Sequence, residues 1–292
     1  MTQISLLTFN AFGILNWDTP FRLRALVHKL NELAPDIVCL QEIHQHYFRR
    51  MIVSGALRYS AAIYEPMLYR PKGGLLTLAK APFTTTRFHL YQEQGRWASL
   101  NIMDRMLRKG MLFTHHEYAG LRMVVVNTHL IANYAANYIK GSPAAALQAR
   151  QLRQLADVVQ NLPRDVLILV MGDFNIPRHS WLYDEFLERS GMEDTLSGDQ
   201  RPTYRPLPGV PARYALPIDF VFVRRPSAPA LAIHSDLTLD KRLPLVGSYV
   251  NYLSDHLGIL TTVAWTDAAP PAAEDASPTA PADATTDATS HS

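Results

Sequence analysis

The sequence predicts an α/β protein in which two sheets pack face to face and helices cover the outside. Amphipathic segments with helical spacing lie on both sides of a central block, residues 73–126, made of short apolar runs typical of strands. Hydrophobic residues make up 48% of the 292 positions, enough for the core of one large domain or two small ones. Because every helix and strand must bury its apolar face, sheet on sheet with outer helices fits this order best.

Three helices are predicted from their start and stop signals. Proline in the first turn, and glycine or proline after the last turn, mark where a helix can begin and where it must end. The predicted helices follow Asp18-Thr19-Pro20 and end before Pro35, follow Ser142-Pro143 and end near Pro163, and cover about residues 179–190 before Gly191.

The predicted strands are short runs rich in β-branched and aromatic residues. They cover residues 4–9, 36–40, 75–79, 85–90, 98–103, 111–115, 123–128, 166–171, 218–223 and 257–265. The run 166–171 is apolar at every position, which indicates a central strand covered on both faces. No helix is predicted inside the block of residues 73–126.

Polar side chains suited to metal or phosphate chemistry lie at one end of six of these strands. Groups just past the ends of buried strands open into a crevice, where active sites are found. A single case could be a turn or a structural polar residue, but the repetition favours a site. The residues are Asn10, Glu42, His129, Asp173 with Asn175, Asp219, and Asp255 with His256.

The donor set favours a hard metal ion. Asn10, Glu42 and Asp255 offer only oxygen ligands, which Mg²⁺ and Mn²⁺ prefer. The only cysteine, Cys39, lies within a predicted strand, so the chain holds neither an internal disulfide nor a thiolate cluster for zinc. The residues therefore predict Mg²⁺, with Mn²⁺ as a substitute.

The remaining groups match the needs of phosphoryl transfer, which requires neutralised charge on the nonbridging oxygens and an activated nucleophile. His129 and Asn175 could hold those oxygens. His256 could act as general base toward water if a carboxylate fixed its tautomer.

The composition and net charge of the chain indicate which classes of partner it can bind. Residues 267–292 are mainly Ala, Pro, Thr, Asp and Ser, which predicts a disordered acidic tail after a folded part of residues 1–266. The tail holds five acidic residues, so a net charge of +2 leaves +7 on the rest. A basic body suits nucleic acid, an anionic membrane surface or a phosphorylated small molecule.

No signal peptide or membrane span is recognised, so we expect a cytoplasmic protein that can contact a membrane peripherally.

Six short motifs occur in the order and with the spacing of the endonuclease/exonuclease/phosphatase superfamily of metal-dependent phosphodiesterases, which this chain resembles from about residue 4 to residue 265. The resemblance implies a four-layered α/β/β/α sandwich for a catalytic domain of residues 1–266. The motifs are Thr8-Phe9-Asn10, Leu40-Gln41-Glu42, Asn127-Thr128-His129-Leu130, Gly172-Asp173-Phe174-Asn175, Ile218-Asp219-Phe220 and Ser254-Asp255-His256.

The resemblance also implies a role for each site residue. Glu42 would ligate the metal, with Asn10 and Asp255 supporting it directly or through water. Asp219 would pair with His256, while Asn175 and His129 would contact the phosphate. Asp173 would orient or deprotonate the attacking water, and whether Asp173 or His256 is the base stays open.

Within the superfamily, three further segments are similar to the neutral sphingomyelinases: residues 128–151, residues 73–82 and Arg108-Lys109-Gly110. This similarity predicts Mg²⁺-dependent hydrolysis of a phosphocholine lipid at a membrane surface. Tyr134, Tyr138, Ile139 and Lys140 could form a lip that meets the membrane. A nuclease acting on DNA or RNA is the alternative, and a catalytically silent adaptor is a third hypothesis.

Overall fold

The structure is a computed structural model that describes residues 1–68, 70–95, 106–133, 137–206 and 209–266. The predicted strand 98–103, Tyr134 of the predicted lip and the predicted tail 267–292 lie outside the described residues. Among the described residues, no helix combines the length and the apolar character needed to cross a bilayer.

Four helices and fourteen strands are described, apart from two single turns of 3₁₀ helix at Lys72–Gly74 and Ala212–Tyr214. The helices are α1 (Thr19–Leu33), α2 (His46–Gly55), α3 (Pro143–Gln160) and α4 (Trp181–Ser190). The strands are β1 (Thr2–Gly13), β2 (Ile37–Ile43), β3 (Ala61–Ile63), β4 (Leu76–Ala79), β5 (Thr85–Leu90), β6 (Gly110–Tyr118), β7 (Leu121–His129), β8 (Leu167–Asp173), β9 (Glu193–Asp194), β10 (Asp219–Arg224), β11 (Leu231–Thr238), β12 (Leu243–Val246), β13 (Tyr249–Asn251) and β14 (Gly258–Trp265).

Two six-stranded sheets form the centre of the molecule. The first has the order β11-β14-β1-β2-β4-β3, and the second has the order β5-β6-β7-β8-β10-β9. Each sheet contains one parallel pair, β1 with β2 and β7 with β8, and all other pairs are antiparallel. Strands β12 and β13 form a separate hairpin.

The core is divided into three layers, and strand β8 shows how. Its alternate residues Leu167, Leu169 and Met171 face the first sheet, whereas Ile168 and Val170 face the helices α3 and α4. A third apolar layer packs β1 and β2 against α1 and α2. The predicted sandwich of two sheets between outer helices is therefore confirmed.

The predicted helices are confirmed, with one shift of boundary. The third begins at Trp181 rather than near residue 179, because the Ser180 side chain accepts a hydrogen bond from Tyr183 N and caps the helix. The prediction of a helix-free block is wrong, since Met106 and Leu107 are helical and Gly73 and Gly74 lie in a 3₁₀ turn.

Candidate active site

The site lies where the two sheets meet at one edge, and strand pairing brings its residues there. The parallel pair β7–β8 sets His129 level with Asp173. The antiparallel neighbour β10 starts with Asp219 directly opposite Asp173. From the other sheet, β1 pairs Asn10 with Gln41, one residue before Glu42. Five predicted residues thus reach one region from different strands.

Local backbone geometry turns two of these residues into the crevice. Glu42 has φ 59° and Asn175 has φ 52°, both in the left-handed region that non-glycine residues seldom occupy. Such conformations are retained where surrounding structure enforces them, and they cluster at functional sites. Gly74 permits the chain to pass close to Glu42, because a Cβ atom on Gly74 would come within 3.1 Å of the Glu42 Cα.

Asn10 holds two carboxylates at the centre of the site. Its Nδ2 donates to Glu42 Oε1 at 3.1 Å and to Asp173 Oδ2 at 3.0 Å. Its Oδ1 accepts a hydrogen bond from Phe12 N at 3.0 Å. Asn10 therefore presents its amide nitrogen to the crevice and positions the carboxylates, instead of offering an oxygen directly to an ion.

His256 is fixed by a carboxylate, as a catalytic histidine requires. Its Nδ1 lies 2.8 Å from Asp219 Oδ2, and the Ser254 Oγ accepts from His256 N at 3.1 Å. The other ring nitrogen, Nε2, faces the carboxylates and lies 3.7 Å from Asp173 Oδ2. Tyr204 packs beside the imidazole with ring centroids 5.2 Å apart.

His129 is surrounded by donors. Lys109 Nζ lies 3.0 Å from His129 Nε2, and Asn175 Nδ2 lies 3.2 Å from the same atom. Burial, followed by the charge of Lys109, keeps the pKa of His129 well below its usual value, so the ring is neutral. The Nε2 atom of a neutral ring can accept a hydrogen bond but cannot carry positive charge. The cationic donor at this point of the site is therefore Lys109.

Lys109 is the functional residue that the sequence analysis missed. Its side chain is buried in the site, and Nζ also donates to Leu130 O at 2.6 Å. Sequence analysis used Arg108-Lys109-Gly110 only as part of a resemblance. The signal in the sequence is that Lys109 directly precedes strand β6. This position becomes informative only once β6 is known to pair with β7, which ends in His129.

Two neighbouring groups of the site, Asp173 and His256, have shifted pKa values. Burial raises the pKa of Asp173 to about 7, His256 opposes this rise, and Asp219 adds to it. Burial alone would lower the pKa of His256, but Asp219, Asp173 and Asp255 outweigh burial and hold that pKa well above its usual value. Near neutrality Asp173 therefore changes its protonation state beside a His256 that stays protonated, and shifted groups of this kind are typical of catalytic sites.

The residues present fit a divalent cation. Carboxylate oxygens of Glu42 and Asp173 and a ring nitrogen of His129 lie within 4.8 Å of one another. A second group of this kind is formed by Asp173, Asp219 and His256. Asp173 is pushed toward protonation partly by Glu42, and a cation between them would relieve that repulsion. Oxygen-rich sites of this kind suit Mg²⁺ or Mn²⁺.

Asp255 lies at the border between this cluster and a neighbouring cavity. It belongs to neither group of three, and burial raises its pKa to about 6, with Glu42 adding to the rise and His256 opposing it. The adjoining cavity has a volume of about 510 Å³. Its lining includes Phe12, Trp17, Asp18, Arg22, Arg205, Arg242, Tyr249, Tyr252 and Asp255.

A profile of the Endonuclease/Exonuclease/phosphatase family matches residues 7–256, which include all eight predicted site residues. The chain belongs to this family. The candidate metal site lies among the residues that this family model matches.

The chain is similar to one curated protein and to two solved structures. A putative neutral sphingomyelinase from Drosophila melanogaster is 25% identical over 205 residues, covering 68% of this chain and 45% of that protein. A beta toxin variant from Staphylococcus aureus with bound magnesium ions has a TM-score of 0.70 at 17% identity, covering 89% of this chain and 99% of the other. D. rerio TDP2 complexed with a single-strand DNA product has a TM-score of 0.67 at 18% identity, covering 90% and 100%.

The extent of these matches limits what they show. This chain spans about half the length of the curated relatives it matches, 45% of the fly protein and 54% of a phospholipase C from Staphylococcus aureus. The structural neighbours are below 25% identical and establish the fold alone. Lipid-cleaving and DNA-bound proteins both occur among them, so the substrate is a separate question.

Proposed function

We propose that this protein is a Mg²⁺-dependent phosphodiesterase of the sphingomyelinase type, which splits a phospholipid between its lipid alcohol and its phosphorylated head group. The carrying observation is that Glu42, Asp173, His129 and His256 meet within one buried cluster. The relatives named sphingomyelinase and phospholipase C favour a phosphocholine lipid as the first substrate to test.

Metal binding would involve Glu42 directly, with Asp173 on the same face, whereas the Nε2 atom of His129 is engaged by Lys109. Asn10 would orient Glu42 through its amide nitrogen, and Asp255 would act through water. The bound ion would supply positive charge against a nonbridging phosphate oxygen. Lys109 and Asn175 would supply further donors on the same side of the phosphate.

Water activation falls to Asp173 in this proposal. A cation beside Glu42 would lower the raised pKa of Asp173, which keeps this carboxylate ionised and able to accept a proton from water at neutral pH. Hydrogen bonds from Asn10 Nδ2 and from Asn175 N fix both of its oxygens. His256, held as an imidazolium by Asp219, would donate from Nε2 to the phosphate as negative charge builds up.

A membrane surface suits the rim of the site. Leu15 and Trp17, in the connection after β1, are 80% and 62% exposed, and Trp17 lines the cavity beside Asp255. In the predicted lip, Ile139 is 73% exposed and Lys140 lies over the Trp181 ring, while Tyr138 packs partly into the core. Apolar side chains beside a basic residue are suited to the boundary of an anionic bilayer.

A nuclease is the second candidate, favoured by the basic body of the chain and by the DNA-bound structural neighbour. The adaptor hypothesis is disfavoured because the acid, base and donor groups are all in place around one point.

The test compares release of phosphocholine from sphingomyelin vesicles with nicking of supercoiled DNA, each in Mg²⁺ and in chelator. We expect lipid turnover that chelator abolishes, and that Glu42→Gln or His256→Asn lowers by a factor of about 10³. The exposed Glu188→Gln and His28→Asn variants are matched controls and should retain turnover. DNA nicking without lipid turnover would assign the nuclease, and inactivity on both would return the adaptor hypothesis.

A further inference from the structure

The cavity beside Asp255 carries an excess of positive charge. Three arginines and two aspartates line it. Arg22 is neutralised by Asp18 in a buried ion pair with Nε and Oδ1 3.2 Å apart. Within the described part of the chain, neither Arg205 nor Arg242 forms an ion pair with any carboxylate. Asp255 is therefore the only carboxylate in the cavity lining that remains to oppose these two arginines, and Asp240 acts on Arg205 from outside the lining.

Arg205 is held rigidly next to the catalytic cluster. Its guanidinium donates to the backbone carbonyls of Ser254 and His256, both at 3.3 Å, and to the carbonyl of Asp240 at 3.0 Å. Its plane lies over the Tyr252 ring, 4.1 Å from the centroid. Carbonyl partners orient the guanidinium without cancelling its charge, so it remains available to an anion.

Arg242 adds a second cation on the same wall. It is exposed, donates to Val250 O at 2.7 Å, and lies 5.9 Å from the centroid of the same Tyr252 ring. The Tyr252 ring in the cavity is therefore already covered by Arg205 and Arg242. Trp17 packs against Tyr249 with centroids 4.8 Å apart, which leaves less free ring surface for a ligand.

We propose that this cavity binds a second phosphate of the substrate, carried on the head group beside the scissile phosphodiester, with Arg205 and Arg242 as the specificity-determining residues. A quaternary ammonium is recognised by aromatic faces free of competing cations, and the Tyr252 face is already covered by Arg205. A phosphate dianion matches two guanidinium groups that lack carboxylate partners.

This inference rests on the proposed function for the scissile bond and deepens it. Among phospholipids, it predicts that a head group with an additional phosphate binds more tightly than phosphocholine, which remains the weaker substrate. The apolar residues next to the cavity, Leu15 and Trp17, commit the second phosphate to a lipid head group instead of a nucleic acid strand.

Calorimetric titration of the full chain in Mg²⁺, at fixed ionic strength, tests the inference without relying on turnover. The ligands are inositol 1-phosphate, inositol 1,4-bisphosphate and phosphocholine. We expect the bisphosphate to bind about tenfold more tightly than either monophosphate. Arg242→Gln and Arg205→Gln should reduce this preference to about threefold or less. Arg213→Gln is the matched control, because Arg213 is also exposed and stacked on a tyrosine but lies outside the cavity lining.

Equal binding of the three ligands, tighter binding of phosphocholine, or an unchanged preference in both cavity variants would overturn the inference. Dithymidylate with and without a 5′-phosphate is the second arm. If the 5′-phosphate gives a larger, Arg242-dependent gain than the inositol phosphate does, the second phosphate belongs to a nucleic acid and the lipid assignment is wrong. Absence of lipid turnover together with a preserved bisphosphate preference would reject the proposed function and retain the phosphate site.

Discussion

At the scale of single residues, the sequence selected the candidate side chains, and the structure shows which atoms of each one face the crevice. Asn10 was predicted as an oxygen ligand, yet its oxygen is engaged by Phe12 N and its nitrogen faces Glu42. His129 was predicted as a donor, yet Lys109 and Asn175 both point at its Nε2. An amide or an imidazole can serve as donor or acceptor, and only its surroundings decide which.

Lys109→Met tests the cationic role at this scale. The variant removes the only cation hydrogen-bonded to His129 in the described chain, so we expect turnover to fall by a factor of about 10² or more. It should also raise the pKa of His129, because a neighbouring positive charge disfavours the imidazolium. The measurements are steady-state turnover and NMR titration of the histidine.

Lys109→Arg, which keeps the charge, is the matched comparison and should hold the pKa of His129 low. A Lys109→Met protein with full turnover and an unshifted His129 would show that Lys109 acts only as a packing residue.

At the scale of elements, the parallel pair β7–β8 determines how close His129 and Asp173 come. Gly172, one residue before Asp173, has φ 149° and pairs with Thr128. A Cβ atom at Gly172 would lie 1.9 Å from Thr128 O and 2.9 Å from Thr128 C. The glycine of the Gly-Asp-x-Asn motif is thus required for the strands to approach, not for a turn after them.

Gly172→Ala should therefore separate the two strands and destabilise the fold. We expect the free energy of unfolding to fall by more than about 3 kcal/mol, the range of severe backbone and packing conflicts. Chemical denaturation followed by circular dichroism measures the change. Gly198→Ala is the control, because nothing lies within 4 Å of its added Cβ, and it should change stability by less than about 0.5 kcal/mol. Equal effects of the two substitutions would contradict the role of Gly172.

At the scale of the whole molecule, folding brings several acidic groups together at the meeting edge of the sheets. Asp173 and Asp255 both have raised pKa values, to about 7 and about 6, with burial as the first cause and Glu42 contributing to both. Ionising these groups opposes folding, and a bound cation offsets that repulsion. The native state therefore gains stability from an ion that the unfolded chain does not hold in this geometry.

Mg²⁺ should accordingly raise the melting temperature. At a hundredfold excess over its dissociation constant, the ion stabilises by about 2.7 kcal/mol. For a domain of this size, that corresponds to a shift on the order of 5 °C in a calorimetric scan. NaCl at equal ionic strength is the control for screening. A Glu42→Gln protein should lose the shift, and a shift that persists in this variant would locate the ion elsewhere.

The sequence by itself determined the layers, most element positions and the identity of the candidate site residues. Apolar periodicity fixes which segments become helices or strands, and motifs such as Gly172-Asp173-Phe174-Asn175 are local in the chain. Helix α2, the hairpin β12–β13 and the edge strands β3, β9 and β11 were not predicted, because most are short and their burial depends on neighbours distant in sequence.

Only the tertiary structure decided which residues share a position in space and which charges remain unpaired. The place of Lys109 beside His129 depends on the pairing of β6 with β7, across 20 positions of sequence. The cationic wall of the cavity depends on Arg205 reaching the backbone of Ser254, 49 positions away. The periodicity of apolar residues within a segment indicates which residues are buried. The distances between site residues, the tautomers of the histidines and the net charge of the site depend on contacts between segments, which that periodicity does not contain.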